Sequence, residues 1–440
     1  MKKQYIIPAV FTALLIVIGL LYFIVPDVEI SEEENRKLTQ LPEFSFGSLF
    51  DGSYTSAMGE YMKDQFPFRR SFIEAGGRVS GLLSLGGSEV DMVISTGNMD
   101  MGEGETLAKI PTVPKEEKKE KEKKDEKPAP AKIDLADEAD YNSRGIIIAD
   151  NRAMELFGWE YSMLKRYATM VNIIAVAVPD AKVYSLVVPT SVEFYSPVKY
   201  HEGRRSQKTA IDGIYGMLAP QVSSVDAYTY LAAAADRYIY FRTDHHWTVR
   251  GAYQGYYAFC KAAGLEPVPE DSFSSYNVEG DFLGTLYRYT RKQVLSDDPD
   301  TVEVMNFPEV ESCVAYTDAS MSQSYGAGII VDPGESTNKY LTFLGGDNPL
   351  LHIVTKNKNG RRVAILKDSF GNAFTPFLIN HYEEIYALDS RSAGVDIIEF
   401  CASHDIDDII IENYAFAISN KEILGGLDKM VKDSQSYIIQ

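Results

Sequence analysis

Residues 365–372 read Ile-Leu-Lys-Asp-Ser-Phe-Gly-Asn, an apolar run that ends in a polar turn and passes directly into a helical pattern. Short apolar runs of this kind are typical of buried strands. Similar runs lie at 145–149, 183–188, 222–225, 238–241, 362–366, 384–388 and 408–411. Helical patterns at 161–175, 205–217, 248–263, 371–381 and 394–404 separate most of them.

This alternation predicts an α/β fold, because strands joined by helices return through right-handed crossovers and build a parallel sheet covered on both faces. We therefore expect a three-layer α/β/α sandwich with a mostly parallel sheet. Residues 273–359 break the rhythm with Gly-rich turns and many Tyr, Thr and Val residues. We predict that they form a β-rich insertion within a main domain that spans 135–440.

The net charge argues against nucleic-acid binding, and the cysteines argue against a cysteine-based structural site. The 440 residues carry a formal net charge of −20, which opposes binding to phosphate backbones, so nucleic acid is not an expected partner. The three cysteines are widely spaced and form no close pair. Neither a disulfide framework nor a structural zinc site is therefore expected.

The N-terminal segment has the properties of a membrane anchor. Residues 5–25 contain no charged side chain, and about 20 helical residues are enough to cross the hydrocarbon core of a bilayer. Lys2 and Lys3 precede this run and acidic residues follow it. The positive-inside rule then places residues 1–4 in the cytoplasm and the rest of a single-pass cell-membrane protein outside. A cleaved secretory signal is the alternative.

Two segments are expected between the anchor and the main domain. Residues 26–110 are predicted to form a juxtamembrane helical segment and the start of the main domain. Residues 115–127 hold seven lysines and six acids, with prolines on both sides. Such a composition cannot bury apolar area, so 111–134 is predicted to be a charged, disordered linker.

Two constellations carry the chemistry. Asp244 precedes His246 by two residues, a spacing at which a carboxylate can hold an imidazole in one tautomer and stabilise its protonated form. Ser369 lies where a predicted strand becomes a helix, whose N-terminal N–H groups favour a developing oxyanion. Together these residues predict a nucleophilic triad. A serine that only caps the helix is the alternative for Ser369.

A metal-dependent reaction is a further alternative, because Asp-His-His also occurs at the dinuclear centres of the DHH phosphoesterases. Those centres need additional aspartate motifs, and residues 135–240 offer none that aligns. Neither a metal nor another cofactor is therefore predicted. The remaining histidine of the motif, His245, is expected to point away from the site if the segment is extended, and to be structural.

Six blocks of the sequence occur in the order of a known family. They read ENRKL at 34–38, DQFPFR at 64–69, TDHHWT at 243–248, GDFLGT at 280–285, FLGG at 343–346 and KDSF at 367–370. This pattern resembles the DHHW proteins, relatives of the alginate O-acetylation proteins AlgJ and AlgX, which have an SGNH-hydrolase-like fold. The resemblance implies that Asp244 orients His246, that His246 is the general base and that Ser369 is the nucleophile.

The resemblance also implies an activity, namely transfer of an acetyl group through an acetyl-serine to a cell-surface polysaccharide. A membrane-bound O-acyltransferase is then the expected partner that delivers acetyl groups across the membrane. Because the same triad serves hydrolysis, a polysaccharide acetyl esterase stays open as an alternative. A non-catalytic glycan-binding subunit of an envelope polymer machine is the alternative from another class.

Three residues are candidates for contacts to the reacting acetyl group. Arg391 matches a family arginine that is expected near the active site, with a surface ion pair as the alternative. Gly346 and Asn348 could supply oxyanion donors in the manner of SGNH enzymes. A Gly-Gly-Asp-Asn run is also a good turn, which is the alternative for both.

A glycan-binding loop is predicted after the strand at 183–188. Tyr195, Lys199 and Arg204 belong to a stretch that interleaves aromatic and basic groups. Aromatic faces stack on sugar rings, and the cations would offset the negative net charge for an anionic polymer. The alternative is a solvated loop whose long side chains cover apolar surface.

Overall fold

The computed structural model describes most of the chain after residue 144 and shorter stretches before it. The described stretches are 26–27, 30–31, 36–37, 39–42, 44–50, 53–66, 127–136, 139–141, 145–317 and 321–431. The predicted anchor at 5–25 lies outside them, as does the predicted linker up to residue 126. Within these stretches no helix is both long and apolar enough to span a bilayer.

Strands and helices are numbered in chain order. The strands are β1 (Ile30–Ser31), β2 (Arg36–Lys37), β3 (Asp140–Tyr141), β4 (Ile146–Ala149), β5 (Arg152–Glu155), β6 (Lys182–Val188), β7 (Val222–Ser224), β8 (Ser275–Asn277), β9 (Glu303–Met305), β10 (Ser312–Tyr316), β11 (Ser324–Gly326), β12 (Leu350–Val354), β13 (Arg362–Lys367), β14 (Glu384–Asp389) and β15 (Asp408–Tyr414). The α-helices are α1 (Phe46–Phe50), α2 (Ser53–Asp64), α3 (Tyr161–Ala177), α4 (Ser191–Tyr195), α5 (Gln207–Tyr215), α6 (Ala227–Ala233), α7 (Val249–Ala263), α8 (Thr285–Thr290), α9 (Gln293–Ser296), α10 (Gly371–Phe374), α11 (Ile397–His404) and α12 (Lys421–Met430). Short 3-10 helices lie at Val198–Tyr200, Gly203–Arg205, Glu270–Ser272, Lys339–Thr342, Thr375–Asn380 and Ala415–Ile418.

The main sheet has eight strands in the order β11-β10-β12-β14-β13-β15-β6-β7. The five strands from β14 to β7 run parallel, whereas β12, β10 and β11 continue the sheet in antiparallel fashion. Strand β13 lies in the parallel part, with Ile365 opposite Ala387 on one side and Ile410 on the other. The predicted α/β fold with a mostly parallel sheet is therefore confirmed.

Helices cover both faces of this sheet. Along β13, Ile365 contributes to a hydrophobic cluster on the side of α6 and α7, whereas Leu366 contributes to a second cluster on the side of α3, α11 and α12. Successive side chains of a strand point to opposite faces, so one buried strand supplies both cores. The fold therefore has three layers. The polar turn begins at the carboxyl end of β13.

The helix that follows the Asp-x-His motif is fixed at both ends. Thr248 caps α7 by accepting a hydrogen bond from the Gly251 N–H. The helix ends at Ala263 and is capped by Gly264, which has a left-handed backbone conformation. A Cβ on Gly251 would lie 2.3 Å from the Ile239 carbonyl oxygen, so glycine lets α7 pack directly against the segment that precedes the motif.

Three details of the predicted secondary structure are wrong. Residues 145–149 lie in a separate antiparallel sheet, β3-β4-β5, rather than in the main sheet, because Asp150 and Asn151 both take positive φ and close a tight hairpin. Residues 238–241 form no strand but bend back on themselves through a single bridge between Tyr240 and Trp247. The helix predicted at 371–381 is a short α-helix continued by a 3-10 helix that contains Pro376.

The predicted β-rich insertion at 273–359 contributes to two sheets. Strands β8 and β9 pair with each other, and β10, β11 and β12 extend the main sheet. The end of the predicted linker lies against the domain. Lys127 forms an ion pair with Asp226, and the Ala131 N–H donates to the Ala232 carbonyl (2.9 Å).

Candidate active site

Asp244, His246 and Ser369 form a continuous chain of hydrogen bonds. Asp244 Oδ1 lies 2.6 Å from His246 Nδ1, and His246 Nε2 lies 2.7 Å from Ser369 Oγ. Because the carboxylate accepts a hydrogen bond from Nδ1–H, Nε2 carries no proton and can accept the hydrogen bond of the serine hydroxyl. The arrangement is that of a nucleophile, a base and an orienting carboxylate.

The Asp244 carboxylate is buried and receives backbone donors on both oxygens. Oδ1 accepts from the His246 N–H (3.0 Å), and Oδ2 accepts from the Thr285 N–H (2.8 Å). Burial alone would raise the pKa of this carboxyl, but the imidazoles of His245 and His246 and these hydrogen bonds hold the pKa well below its usual range. Asp244 is therefore an anion that can stabilise an imidazolium at His246.

The block at 280–285 supplies the backbone that holds this carboxylate. A Cβ on Gly284 would lie 2.2 Å from Asp244 Cβ, so the close approach requires glycine. Thr243 stabilises this contact, because its hydroxyl accepts a hydrogen bond from the Gly284 N–H (2.9 Å) and donates one to Asp300 Oδ2 (2.6 Å). Sequence reasoning missed the role of Thr285 because its main-chain N–H makes the contact, which any residue except proline could provide.

Tyr340 covers the imidazole of His246. The two rings stack with centroids 3.9 Å apart and planes 11° apart, and the Tyr340 hydroxyl donates to the Ser369 carbonyl (3.0 Å). Burial raises the pKa of Tyr340 well above its ordinary value, so the phenol stays a neutral donor. The residue belongs to the 3-10 helix at Lys339–Thr342 and to none of the six sequence blocks, which is why sequence reasoning missed it.

Ser369 occupies the turn between β13 and α10. The N-cap position of α10 is Phe370 and has no side-chain cap, so the Ser369 hydroxyl does not cap the helix. Asp368, the preceding residue, stabilises the turn. Its carboxylate accepts hydrogen bonds from the Phe370 N–H (2.9 Å) and the Tyr414 N–H (2.9 Å). Burial raises the pKa of Asp368 to about 6.

His245 lies inside the site, and the expectation that it points away is wrong. The segment is bent rather than extended, and the His245 ring lies 3.9 Å from the His246 ring centroid. Burial and the neighbouring imidazole lower the pKa of His245. Ligand atoms of Asp244, His245 and His246 lie within 4.8 Å of one another. A metal ion there would have to displace the hydrogen bonds that Asp244 and His246 already make.

The loop with Gly346 and Asn348 is closed by its own hydrogen bonds. The Gly346 N–H donates to the Phe343 carbonyl (3.1 Å), and the Asn348 amide donates to the Leu344 carbonyl (2.8 Å). Asn348 Oδ1 accepts from the Tyr325 hydroxyl (2.7 Å). The structure thus places both predicted oxyanion donors in contacts that shape the turn.

Arg391 forms ion pairs with Asp347 and Asp389. Asp347 also accepts from the Asn372 amide (2.8 Å), so the arginine is connected to the helix that follows Ser369. Although burial would raise the pKa of Asp347, the cations of Arg391 and Lys367 hold it below its usual range. The surface ion pair considered as the alternative is present, and it is anchored to the serine turn.

The predicted glycan-binding residues differ in their surroundings. The Tyr195 ring is covered on one face by the Arg152 guanidinium, 4.2 Å from the ring centroid, and its hydroxyl is buried. Lys199 is exposed and lies 5.2 Å from the Tyr200 ring centroid. Arg204 is also exposed and pairs with Glu160. Two of the three side chains are thus accessible to a polymer, and the predicted loop stays a prediction.

Comparison with known proteins places this chain in a family. The family model described as DHHW protein matches residues 34–103 and 130–388. A crystal structure of a DHHW family protein from Eubacterium siraeum is 31% identical, with a TM-score of 0.59 over 66% of this chain and 96% of that one. No functionally curated protein matches the chain.

Two further solved structures match this chain at lower identity. Bacillus cereus PatB1, solved with a sulfonyl adduct, is 17% identical with a TM-score of 0.54 over 65% of this chain and 98% of that one. The O-acetyltransferase domain of Pseudomonas putida AlgJ is 13% identical with a TM-score of 0.36 over 66% of this chain and 98% of that one. The suspected relation to the DHHW proteins is confirmed, and the chain belongs to the DHHW family.

Proposed function

We propose that this chain is a serine O-acetyltransferase that modifies a cell-surface polysaccharide through an acetyl-serine intermediate. The observation that carries the proposal is the chain of two hydrogen bonds, 2.6 Å and 2.7 Å long, that joins Asp244 through His246 to Ser369. The six sequence blocks shared with relatives of alginate O-acetylation proteins favour acetyl as the group and a polysaccharide as the acceptor.

The first half-reaction acylates the serine. His246 Nε2 takes the hydroxyl proton of Ser369 while Oγ forms a bond to the carbonyl carbon of the acetyl donor. The tetrahedral intermediate then collapses, the bond to the donor's leaving group breaks, and that group receives the proton from the imidazolium. The anionic Asp244 stabilises the imidazolium between these steps.

The second half-reaction reverses the order of events with a different nucleophile. A sugar hydroxyl gives its proton to His246 and attacks the acetyl carbon, and Ser369 leaves with the proton that the imidazole returns. Attack by water instead yields acetate. Because the triad serves both outcomes, the access of sugar or water to the acetyl-serine decides between transfer and hydrolysis.

The oxyanion contacts are part of the proposal. We assign Arg391, Gly346 and Asn348 to the region around the reacting acetyl group, where they would act as donors or substrate contacts. Gly346 and Asn348 now donate within their own loop, and Arg391 pairs with two carboxylates. To contact the acetyl group, the loop must therefore break some of these hydrogen bonds and ion pairs when the substrate binds.

The proposed site of action is the outer face of the cell membrane. The uncharged run at 5–25, with lysines before it and acids after it, supports an N-terminal anchor and an extracytoplasmic catalytic domain. A membrane-bound O-acyltransferase would then supply the acetyl group from the cytoplasm. On the polymer side, the exposed Lys199 and Arg204 are candidates for contact with acidic sugars. The ring of Tyr195, covered on one face by Arg152, would have to offer its other face.

The experiment measures acetate release and acetyl transfer by the full-length protein in detergent. p-Nitrophenyl acetate serves as the donor, with and without an acetyl-free oligosaccharide as the acceptor, beside a Ser369→Ala variant. Product that depends on Ser369 and appears on the acceptor supports the transferase. Acetate alone, with no acetylated sugar, favours the esterase. Equal rates for both proteins would overturn the enzymatic proposal in favour of a glycan-binding subunit.

A further inference from the structure

Two ionisable side chains are fully buried beside the serine turn. Lys367 ends β13, two residues before Ser369, and Glu412 lies on the neighbouring strand β15, and both are 0% exposed. Among the described residues, neither Lys367 Nζ nor either Glu412 carboxylate oxygen has a hydrogen-bond partner, and the same holds for Asn372 Oδ1. Lysine and glutamate are almost never fully buried without a partner.

These side chains surround the first residue of α10. A Cβ on Gly371 would lie 2.5 Å from Lys367 Cβ and 2.7 Å from Glu412 Oε2. Gly371 thus fits between the lysine and the glutamate, and it begins the helix that follows the nucleophile. Any shift of either side chain is transmitted to the backbone of the serine turn, because protein interiors leave little free space.

The cluster is also connected to the loop across the site. Asp347 Oδ1 lies 3.9 Å from Lys367 Nζ and 2.8 Å from the Asn372 amide nitrogen. Asp347 belongs to the Gly345–Asn348 loop and pairs with Arg391. Lys367 is therefore within ion-pair distance of the loop carboxylate, and its charge also acts on the Glu412 carboxyl of strand β15.

A protonated, neutral Glu412 is consistent with this arrangement. Burial and the nearby Asp368 carboxylate raise the pKa of Glu412 well above its usual range, partly offset by the charge of Lys367. A protonated carboxyl presents both a donor and an acceptor, which an isosteric glutamine also does. Leucine at this position would fill the space and provide neither.

We propose that Lys367 and Glu412 are positioning residues that hold Gly371, and through it the Ser369 hydroxyl, in line with His246. The inference rests on the proposed role of Ser369 as the nucleophile. A pair that only filled the core would be replaceable by apolar residues of similar volume, often with a gain in stability. A positioning pair would not be replaceable in this way, since small displacements of a reacting group lower rates steeply.

The experiment measures how fast phenylmethylsulfonyl fluoride labels Ser369 in the full-length protein, together with kcat, KM and Tm for p-nitrophenyl acetate. The variants are Lys367→Met, Glu412→Leu, Glu412→Gln and the double variant Lys367→Met/Glu412→Leu. The matched control is Asp408→Asn. Asp408 is equally buried on the same strand, but it pairs with Arg361 and Tyr382 at the opposite end of the strand.

Labelling and kcat are expected to fall about tenfold to a hundredfold in Lys367→Met and Glu412→Leu, with KM little changed. Glutamine at 412 is expected to stay within about threefold of the wild type, since it mimics the protonated carboxyl. The double variant should recover Tm but not kcat. Asp408→Asn should lower Tm while labelling stays within about twofold, because it lies away from the turn.

Wild-type labelling rates in Lys367→Met and Glu412→Leu would overturn the inference, and so would recovery of kcat in the double variant. An unlabelled wild type would overturn it as well, because it would show that Ser369 is not a nucleophile. Failure of the proposed function is a separate result. A wild type that is labelled but transfers no acetyl group removes the transferase proposal and leaves the positioning test intact.

Discussion

The two sides of the Ser369 turn differ in how their polar groups are satisfied. On the catalytic side, which we define as Asp244, His246 and Tyr340, the carboxylate, both imidazole nitrogens and the phenol make hydrogen bonds. On the buried side, defined as Lys367, Glu412 and Asn372, several polar atoms have no hydrogen-bond partner among the described residues. One turn therefore separates a saturated network, in which these polar groups have hydrogen-bond partners, from an unsaturated one, in which several polar atoms have none.

The difference indicates different tasks. A saturated network holds its members in one geometry before the substrate arrives, which is what electrostatic stabilisation of charge at His246 requires. An unsaturated network lowers stability and is retained where it serves another purpose.

The largest effect is expected from Asp244→Asn. The amide keeps the size of the carboxylate but cannot accept from His246 Nδ1–H and Thr285 N–H as an anion does, so the imidazole loses its tautomer and its charge partner. The acetyl-transfer rate should fall about 10³- to 10⁴-fold. Steady-state kinetics with p-nitrophenyl acetate measure this loss.

The control is Asp298→Asn, which removes an exposed partner of Arg242 near the same loop. It should change the rate by less than about twofold, as is usual for an exposed ion pair. Similar rates for Asp244→Asn and the wild type would show that the carboxylate does not orient the base.

The next effect is expected from Gly284→Ala, which crowds the catalytic side without removing any polar group. The new Cβ would fall 2.2 Å from Asp244 Cβ, so one of the two segments must move. We expect the rate to fall about a hundredfold and Tm to decrease. Gly158→Ala, at a position without a positive φ where a Cβ meets nothing within 4 Å, controls for the loss of glycine. Retention of full activity in Gly284→Ala would contradict the close approach.

Tyr340→Phe should have a smaller effect, because it keeps the ring that stacks on His246 and removes only the hydroxyl that donates to the Ser369 carbonyl. One lost hydrogen bond of about 1 kcal/mol corresponds to a rate change of about fivefold. Tyr340→Leu, which also removes the stacked ring, should reduce the rate further. Equal rates for the two variants would show that stacking contributes nothing.

The smallest effect concerns Asp368, at the boundary between the two sides. Its pKa of about 6 lies above the usual 3.8, so the folded protein holds this proton more tightly than the unfolded chain. The stability that this binding contributes is present below pH 4 and is lost as the pH rises through 6, by up to about 1.4 kcal/mol per pH unit. Urea unfolding measures the free energy of unfolding at pH 4.5 and 6.5. Between these two pH values, that free energy should decrease more for the wild type than for Asp368→Asn. Equal decreases would contradict the assignment.

Much of the site could be predicted from the sequence, because local patterns carried it. The Asp-x-His spacing, the strand-to-helix serine and the family blocks identify Asp244, His246 and Ser369, and the structure brings the three side chains together. The central parallel strands were equally clear, since buried strands read as continuous apolar runs.

The parts that could not be predicted depend on contacts distant in sequence. Thr285 acts through its backbone, Tyr340 stacks from a 3-10 helix without a motif, and the unpaired state of Glu412 depends on the packing of two strands. The Tyr238–Phe241 region has a strand-like composition, yet its main chain bonds back to His246 and Thr248. Tertiary context overrides local propensity at such positions.

The central claim is that Ser369 carries the acetyl group between donor and acceptor. The most direct test is intact-protein and peptide mass spectrometry after brief exposure to p-nitrophenyl acetate and an acid quench. The account predicts one acetyl group on Ser369 in the wild type, none in Ser369→Ala or His246→Ala, and its disappearance when an oligosaccharide acceptor is added before the quench. An acetyl group on another residue, or equal labelling in Ser369→Ala, would contradict it.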